Sequence, residues 1–236
     1  MARIPARIGS PVAAPLDVTL PRSFYDRPTL DVARDLIGKV LVHNRRGTLT
    51  SGIIVEVEAY IGESDPACHA APGRTTRNAP LYGPPGYAYV YLNYGIHSLV
   101  NVVTESADAP AAVLIRALDP LTGISVMRRR RARSAKGRSR RRSSSLAVHD
   151  ICRGPGNLTM AMGITLAENR ADLCGDVLFI EALAQKDAAS RRDALVWGPR
   201  IGISVGTEHP WRVYLEGHPA VSGQKKVRSA KSKVEK

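Results

Sequence analysis

Alternation of apolar and polar side chains constrains the fold of this chain more than any other feature. The segment Gly52–Tyr60 alternates β-branched residues with acids, which is typical of a β-strand. Successive side chains of a strand point to opposite faces. We therefore predict an apolar face and an opposite polar face. The apolar set is Ile53, Val55, Val57 and Ala59, and the polar set is Glu56, Glu58 and Tyr60.

A second alternating segment, Tyr87–Tyr91, places tyrosines on one face of another strand. Six of the eight tyrosines lie between residues 53 and 101, although aromatic residues make up only 5% of the chain. Stacking of a nucleobase on an aromatic ring contributes about 1–3 kcal/mol and tolerates any base. An acidic face beside an aromatic one suits a planar ligand. Core packing is the alternative interpretation of such tyrosines.

The remaining pattern predicts short strands and helices around these two segments. Thr29 can cap a helix over residues 29–39, and Asp119-Pro120 can begin a helix that runs into an arginine cluster. A short helix is predicted at 157–162, and the loop at 72–85 is long enough to be functional. Further strands are predicted at Val40–His43, Leu99–Thr104, Ala111–Ala117, Val177–Ala182 and Trp211–Glu216.

Length and composition indicate one globular domain. The chain has 236 residues, of which 44% are hydrophobic, and its apolar runs are shorter than the roughly 18 residues that a membrane span needs. We expect a monomeric cytoplasmic protein associated with the nucleoid rather than with a membrane. Three widely spaced cysteines, Cys68, Cys152 and Cys174, predict neither a disulfide framework nor a metal site, and we expect no cofactor.

Positive charge is concentrated outside the predicted core. The net charge is +13, of which residues 128–142 carry +10 and the tail carries +5. We predict a disordered arm at 1–20, a domain at 21–222 with a basic disordered insertion at about 128–146, and a basic tail at 223–236. The candidate contacts to a DNA backbone are Arg128, Arg129, Arg130 and Arg131. An electrostatic tether and a solvated linker are the two interpretations of the insertion.

Two carboxylates on one strand face are candidates for acid–base chemistry. Repulsion or burial can change the proton affinity of one member of the pair Glu56 and Glu58. Two solvated acids are the alternative, and His69 in its loop could equally be a surface histidine. A pocket with tyrosine and histidine walls and a carboxylate fits an enzyme that extracts a base from a nucleic acid.

A set of motifs occurs in order over roughly residues 21–222, outside the basic insertion. The motifs are Phe24-Tyr25-Asp26, Leu36-Ile37-Gly38-Lys39, Ile54-Val55-Glu56-Val57-Glu58-Ala59-Tyr60, His69, Arg74 to Asn78, Tyr89-Val90-Tyr91, Tyr94-Gly95, Asn101, Leu114-Ile115-Arg116-Ala117-Leu118, Gly154-Pro155-Gly156, Pro199-Arg200-Ile201-Gly202 and Pro210-Trp211. In these motifs the chain resembles the alkyladenine (3-methyladenine) DNA glycosylase family.

The resemblance implies an α/β (α+β) fold, a single compact domain with a curved antiparallel β-sheet surrounded by helices. It also implies a monofunctional base-excision-repair enzyme that flips alkylated or deaminated purines out of double-stranded DNA and leaves an abasic site. Glu58 matches the catalytic residue that activates water, and Arg116 matches a residue that helps to place it. The other matches are Tyr60, His69 and Tyr91 as walls of the base pocket, Asn101 as a gate against guanine, and Tyr94 as the side chain that intercalates into the duplex.

A second hypothesis and one departure from the family remain open. A noncatalytic nucleic-acid-binding protein could keep the same fold, and a basic ribosome-associated protein could carry the same tails. Glu58 favours the enzyme, because neither alternative requires that carboxylate. Asn157 stands where the family commonly has lysine after Gly-Pro-Gly. The sequence leaves open the order of preference among 3-methyladenine, 7-methylguanine, hypoxanthine and etheno adducts.

Overall fold

A long central strand organises the structure. The computed structural model describes residues 19–134, 146–182 and 194–223. These ranges contain the strands β1 Val40–Arg45, β2 Thr48–Ile61, β3 Ala88–Asn93, β4 His97–Val103, β5 Ala111–Thr122, β6 Leu178–Glu181, β7 Leu195–Gly198 and β8 Arg212–Leu215. They also contain the helices α1 Arg22–Tyr25, α2 Thr29–Leu36, α3 Ile124–Ser134 and α4 Pro155–Met162.

All eight strands in the described ranges belong to one curled antiparallel sheet. Its order is β3-β4-β5-β2-β1-β6, and β8 joins the free edge of β2 and pairs in turn with β7. One edge of β2 pairs with β5, while its other edge pairs first with β1 and then, at Glu56–Glu58, with β8. The predicted fold, a single compact α/β domain with a curved antiparallel sheet and surrounding helices, is confirmed.

The two faces of this sheet have different roles. Helix α2 packs on β2 and β5, α4 packs on β4 and β5, and α3 packs on α4. This helical layer covers a core whose members include Leu36, Ile54, Val57, Ile115 and Leu158. Burial of each such side chain stabilises the fold by roughly 1.5–3 kcal/mol. Alternate residues of β2 to β5 point away from this core and form a cavity.

Three register shifts interrupt the pairing of β2 with β5, one between Ser51 and Gly52 and one on either side of Glu56, and the last two compensate each other. Ile54 pairs with Leu118, Glu56 with Ala117 and Val57 with Ile115. Val55 on β2 and Arg116 on β5 are therefore the extra residues, one on each strand, as in β-bulges. Because the two insertions cancel, Glu58 returns to the original register opposite Leu114.

Because of the bulge, the four residues predicted to form the apolar face of β2 are divided between two clusters. Ile53 and Val55 pack in a cluster with Leu215, whereas Val57 and Ala59 pack in the helix-covered core. These four residues do not share one face, because strict alternation holds only in an unbroken strand. Glu56 and Glu58 are both fully buried, so the alternative interpretation of two solvated acids is wrong.

Two predicted helix limits also change. Asp119 and Pro120 lie within β5, and α3 begins only at Ile124, after Gly123 at φ 76°. Helix α2 ends at Leu36 rather than Lys39. The Thr29 side chain is not a helix cap, since its hydroxyl lies 2.9 Å from that of Thr104. Helix α4, Pro155–Met162, confirms the helix predicted at 157–162.

The basic segment is partly helical. Residues 128–134, at the start of the predicted insertion, belong to α3. Residues 1–18, 135–145 and 224–236, which include most of the predicted arm and tail, lie outside the described residues. At the described end of the arm, Thr19 bridges Glu181 and Leu20 is buried. Within the described ranges, the helices are too short or too polar to cross a membrane.

Candidate active site

A cavity of about 430 Å³ opens on the sheet face opposite the helices. Its walls come from β2, β3, β4 and β5, from the loop at 67–69, from Pro155 at the start of α4 and from the loop at 201–203. The volume lies in the range of small-molecule pockets. The predicted residues on its walls are Tyr60, His69, Tyr91, Tyr94, Asn101 and Arg116. The fold therefore brings together groups that are up to 56 residues apart in the chain.

Glu58 lies immediately behind this wall. It is fully buried and is missing from the described residues that line the cavity. Its Oε2 accepts hydrogen bonds from the Tyr60 hydroxyl at 2.9 Å and from Arg116 at 3.1 Å, and its Oε1 accepts one from the Ile201 backbone N–H at 2.7 Å. All three donors line the cavity. Both oxygens of this buried carboxylate are therefore hydrogen-bonded.

Tyr60 is held in its protonated form. Burial, followed by the adjacent negative charge of Glu58 and their hydrogen bond, raises the pKa of the Tyr60 phenol above its ordinary value. The hydroxyl therefore donates to Glu58, and the ring remains available as an apolar wall. This side chain couples the carboxylate to the cavity.

Arg116 occupies the bulge of β5 and divides its guanidinium between two acids. Its Nε donates to Glu56 at 3.2 Å, and another nitrogen donates to Glu58 at 3.1 Å. A third contact runs to the Ser222 hydroxyl at 3.2 Å. The two carboxylates that share the acidic face of β2 thus hold one arginine at the cavity wall.

An aromatic cluster forms the opposite wall. The rings of Tyr89 and Tyr91 are stacked, with centroids 5.3 Å apart and planes 29° apart. The His69 ring lies edge-on to Tyr91 at 4.4 Å between centroids. Burial raises the pKa of Tyr89 and of Tyr91 to about 12. Tyr87 is not part of this cluster, because it precedes β3 and its ring faces the guanidinium of Arg22 at 4.5 Å.

His69 is set up as a neutral ring. Burial and the positive charge of Arg77 lower its pKa below the ordinary value. Its Nδ1 lies 2.9 Å from the Tyr89 hydroxyl oxygen, and either group can be the donor in this contact. With Tyr89 as the donor, the ring proton of His69 is on Nε2.

Asn101 and Cys68 complete the walls. The Asn101 amide nitrogen donates to the Tyr89 carbonyl at 3.0 Å, which fixes the side chain within β4. Burial raises the pKa of the Cys68 thiol to about 11, so it remains a protonated, weakly polar group. Sequence reasoning treated Cys68 as an ordinary small residue, and its adjacency to His69 was the available signal for its place in the cavity.

Tyr94 projects from the hairpin between β3 and β4. Its side chain is 87% exposed, and its neighbour Ile96 is 74% exposed. Tyr94 and Gly95 have φ values of 50° and 68°, the pattern of a type I′ turn, in which glycine at the second central position avoids strain. The backbone therefore holds an apolar side chain in solvent at the mouth of the cavity.

A buried ion pair that the sequence did not predict holds the loop beside Glu58. Arg200 and Asp65 form a buried ion pair at 2.8 Å, and Arg200 also donates to the backbone carbonyls of Ala59 and Gly206. This places the loop that contains Ile201 next to Glu58. The Pro199–Gly202 motif was a sequence signal for the loop, but the partner Asp65 lies 135 residues away.

The predicted DNA-contacting arginines lie apart from this cavity. Arg130 donates to the carbonyls of Ala161 and Met162 at the C-terminal end of α4, and Arg131 donates to the Ile151 carbonyl. Pro155 at the other end of α4 lines the cavity, about 12 Å away along an eight-residue helix. Arg130 and Arg131 are thus engaged in the fold, whereas Arg129 is exposed.

Asn157 has a local structural partner. Its amide nitrogen donates to the Arg153 carbonyl at 2.7 Å, four residues earlier in the chain. It thereby joins the first turn of α4 to the preceding loop. The neutral side chain supports the Gly-Pro-Gly turn without a charge.

Comparison with known proteins agrees with this geometry. Residues 23–219 match the family described as Methylpurine-DNA glycosylase (MPG). A protein from Methanocella arvoryzae is 46% identical over 206 residues, which cover 86% of this chain and 95% of the relative. Relatives from Chlorobium phaeobacteroides and Bacillus cereus are 45% and 43% identical, covering 87% and 86% of this chain and 96% and 98% of their own lengths. All three carry the name "Putative 3-methyladenine DNA glycosylase".

Fold, cavity and relatives together define a hydrolytic DNA glycosylase, an enzyme of DNA repair that acts on alkylated bases. The chain belongs to the methylpurine-DNA glycosylase family. The noncatalytic alternative is therefore set aside.

Proposed function

We propose that this enzyme flips an alkylated or deaminated purine out of double-stranded DNA, binds it in the cavity and hydrolyses its N-glycosidic bond, leaving an abasic site. In this proposal Glu58 and Arg116 carry the chemistry. Tyr60, His69, Tyr91 and Asn101 form the base pocket, and Tyr94 fills the gap left in the duplex. The enzyme acts as a monomer.

One observation carries the proposal. A fully buried carboxylate receives three hydrogen bonds from groups that all line a cavity with aromatic walls. A purine is planar and can stack between such walls, which contributes about 1–3 kcal/mol per base. The sugar of a bound nucleotide would then lie toward Glu58 and Arg116.

The chemistry follows from where charge develops. As the bond from the sugar to the base breaks, positive charge grows on the sugar, and an ionised Glu58 stabilises it. Glu58 also accepts a proton from the water whose oxygen bonds to the anomeric carbon. The bonding electrons leave with the purine. An alkylated purine that already carries a positive charge departs as a neutral base without further protonation.

The pocket favours such a cation. Electron-rich rings attract positive charge on a stacked ligand, and Tyr91 presents its ring in the cavity. A neutral His69 does not repel the charged base, and its Nε2 proton can donate to an acceptor on the purine. Asn101, fixed by its bond to the Tyr89 carbonyl, presents a rigid edge that would clash with the exocyclic amine of guanine.

The decisive variant is Glu58→Gln, which removes the charge and keeps the shape. We expect release of 3-methyladenine from alkylated duplex DNA to fall by at least about 100-fold, the usual scale of a lost acid–base group. Binding to abasic-site DNA should survive. Single-turnover assays on duplexes that each contain one lesion would measure the rate and rank the four lesion classes.

Glu216→Gln is the matched control, because Glu216 is exposed and lies outside the described lining of the cavity. This variant should retain the wild-type rate. Retained turnover in Glu58→Gln would overturn the assignment of the catalytic carboxylate. Binding of damaged duplex without base release by the wild-type enzyme would contradict the proposed reaction itself.

A further inference from the structure

Glu56 is a fully buried acid that the proposed reaction does not use. The described residues donate four hydrogen bonds to it: Arg116 at 3.2 Å, Arg212 at 2.6 Å, and the hydroxyl and backbone N–H of Ser222 at 2.9 and 2.7 Å. Glu56 is not among the described residues that line the cavity. Burying a charged carboxylate costs free energy that its ion pairs and hydrogen bonds must offset. The position of Glu56 therefore requires a structural or functional reason.

The contact to Arg116 has a geometric consequence. Arginine and a carboxylate often pair through two parallel hydrogen bonds. Here Arg116 gives Nε to Glu56 and one terminal nitrogen to Glu58, so the acid behind the cavity receives only one of its hydrogen bonds. Without Glu56, the guanidinium could rotate into a two-point pair with Glu58. That pair would add a second donor to Oε1, which already accepts from the Ile201 N–H, and would so compete with water for its remaining lone pair.

Arg212 allows Glu56 to hold Arg116 in this way. The buried cluster has no formal net charge, because it contains two acids, Glu56 and Glu58, and two arginines, Arg116 and Arg212. Arg212 lies on β8, the strand that pairs with β2 at Glu56–Glu58. Its 2.6 Å contact supplies a second positive charge to Glu56. Among the described ion pairs, Arg116 is therefore one of two counter-charges of Glu56, whereas Glu58 pairs with Arg116 alone.

The segment 220–223 joins both sides of this cluster. Ser222 receives a hydrogen bond from Arg116, and its carbonyl accepts one from Arg212 at 3.0 Å. At the next residue, Gly223, a Cβ atom would lie 2.6 Å from the Ile201 side chain. The same short segment thus packs against the loop whose N–H binds Glu58.

We propose that Glu56, supported by Arg212 and Ser222, is a positioning residue that keeps Arg116 divided between two carboxylates and so leaves Glu58 able to activate water. The inference rests on the proposed role of Glu58. The substrate of the enzyme is unchanged, and Glu56 affects the rate of the chemical step rather than DNA binding.

The test is a set of single-turnover rates with a 3-methyladenine duplex and affinities for abasic-site DNA. Glu56→Gln should slow base release about 10- to 100-fold, the scale expected for a misplaced catalytic group, and change the affinity by less than about threefold. Ser222→Ala, which removes one hydroxyl from Glu56 and Arg116, should slow release about 3- to 10-fold. Glu216→Gln should match the wild type.

A double-mutant cycle separates positioning from general destabilisation. If Glu56 acts through Arg116, then Glu56→Gln in an Arg116→Lys background should change the rate by less than about threefold. Losses that multiply in the double variant would overturn the inference. So would a wild-type rate in a folded Glu56→Gln enzyme.

Ser222→Ala also covers the case in which Glu56→Gln fails to fold, since it leaves every buried charge in place. An unchanged rate in this variant, with Glu56→Gln unfolded, would reduce Glu56 to a structural residue. Failure of the wild-type enzyme to release the base would contradict the proposed function, whereas a normal wild type with a normal Glu56→Gln contradicts only the positioning role.

Discussion

The guanidinium of Arg200 lies over the ring of Tyr60, with 4.7 Å between its central carbon and the ring centroid. Asp65 accepts hydrogen bonds from this guanidinium, and the ring centroid of Trp211 lies 5.1 Å from its central carbon. The tyrosine that donates to Glu58 is therefore held by a cation whose own counter-ion is buried. The stability of this ion pair and the geometry of the active site are linked.

Loss of the Asp65 charge should destabilise the fold. Both side chains of the Asp65–Arg200 pair are 0% exposed, so Asp65→Asn leaves a buried guanidinium without its counter-charge. We expect the free energy of unfolding in urea to fall by about 3–5 kcal/mol. The exposed Arg74–Asp108 pair, at 60% and 78% exposure, is the control, and Asp108→Asn should cost less than about 1 kcal/mol. Equal effects of the two variants would contradict the prediction.

The same aspartate should make stability depend on acid pH. Burial alone would raise the pKa of Asp65, but hydrogen bonds from Arg200 and from the N–H groups of Ala67 and Ile61 bring that pKa below its ordinary value. The stabilisation is present above the unfolded-state pKa of about 3.9 and is lost as pH falls through the lower folded-state pKa. Unfolding free energies measured from pH 5 down to pH 2 should therefore decline more steeply for the wild type than for Asp65→Asn. Parallel profiles would exclude Asp65 as the source.

The pKa of His69 should lie below that of an ordinary histidine. Burial and Arg77 lower its pKa, so the ring should be neutral at pH 7. With Tyr89 donating to Nδ1, the ring proton should be on Nε2. Nitrogen-15 NMR of labelled protein would report both the midpoint and the tautomer. Tyr89→Phe removes the hydroxyl at Nδ1 and should increase the share of the other tautomer. A midpoint at or above about 6.5 would contradict the assignment.

Tyr94 should matter for DNA but not for folding. Because the side chain is 87% exposed, Tyr94→Ala should change the free energy of unfolding by less than about 0.5 kcal/mol. Base release from duplex DNA should slow at least about tenfold, because an extruded base leaves a gap whose lost stacking costs a few kcal/mol. Tyr94→Phe keeps the ring and should remain close to the wild type. Equal rates for the alanine and phenylalanine variants would argue against intercalation.

Two neighbouring arginines of α3 should behave differently. Arg130 donates to two carbonyls at the end of α4, so Arg130→Gln should lower the free energy of unfolding by about 1–3 kcal/mol. Arg129 is exposed, and Arg129→Gln should leave stability unchanged. If Arg129 contacts a phosphate, its loss should flatten the slope of log affinity against log salt by about 0.9. An unchanged slope would place Arg129 outside the DNA interface.

Local patterns predicted the strands and the clustering of the site. Gly52–Tyr60 lies in β2, and the tyrosine alternation placed Tyr89 and Tyr91 on one wall, because both inferences depend only on the two-residue period of a strand. The predicted start of a helix at Asp119-Pro120 was wrong, since pairing along β2 keeps these two residues in the sheet and the helix begins at Ile124. Tertiary pairing overrode the local helix signal there.

Other parts of the site depend on contacts between distant residues. Ser222 and Arg212 reach Glu56 from 166 and 156 residues away, and Ile201 reaches Glu58 from 143. A local pattern does not specify such pairs. The bulge could not be predicted either, because Val55 is as apolar as Ile53 and Val57 and the alternation continues through it in the sequence.

The paired bulges make the length of each strand a condition for activity. Val55 and Arg116 are one extra residue on each side of the ladder, so the strands realign after them. In a bulge two residues stand opposite one, so Val55 and Glu56 share one place opposite Ala117. Loss of Val55 alone would leave Glu56, Glu58 and Tyr60 on their present face, but it would leave Arg116 as an uncompensated extra residue on β5. A single-codon deletion here would thus keep every charged residue of the site and disturb the placement of Arg116 against its two acids, and a compensating deletion on β5 would restore the register only by removing the arginine.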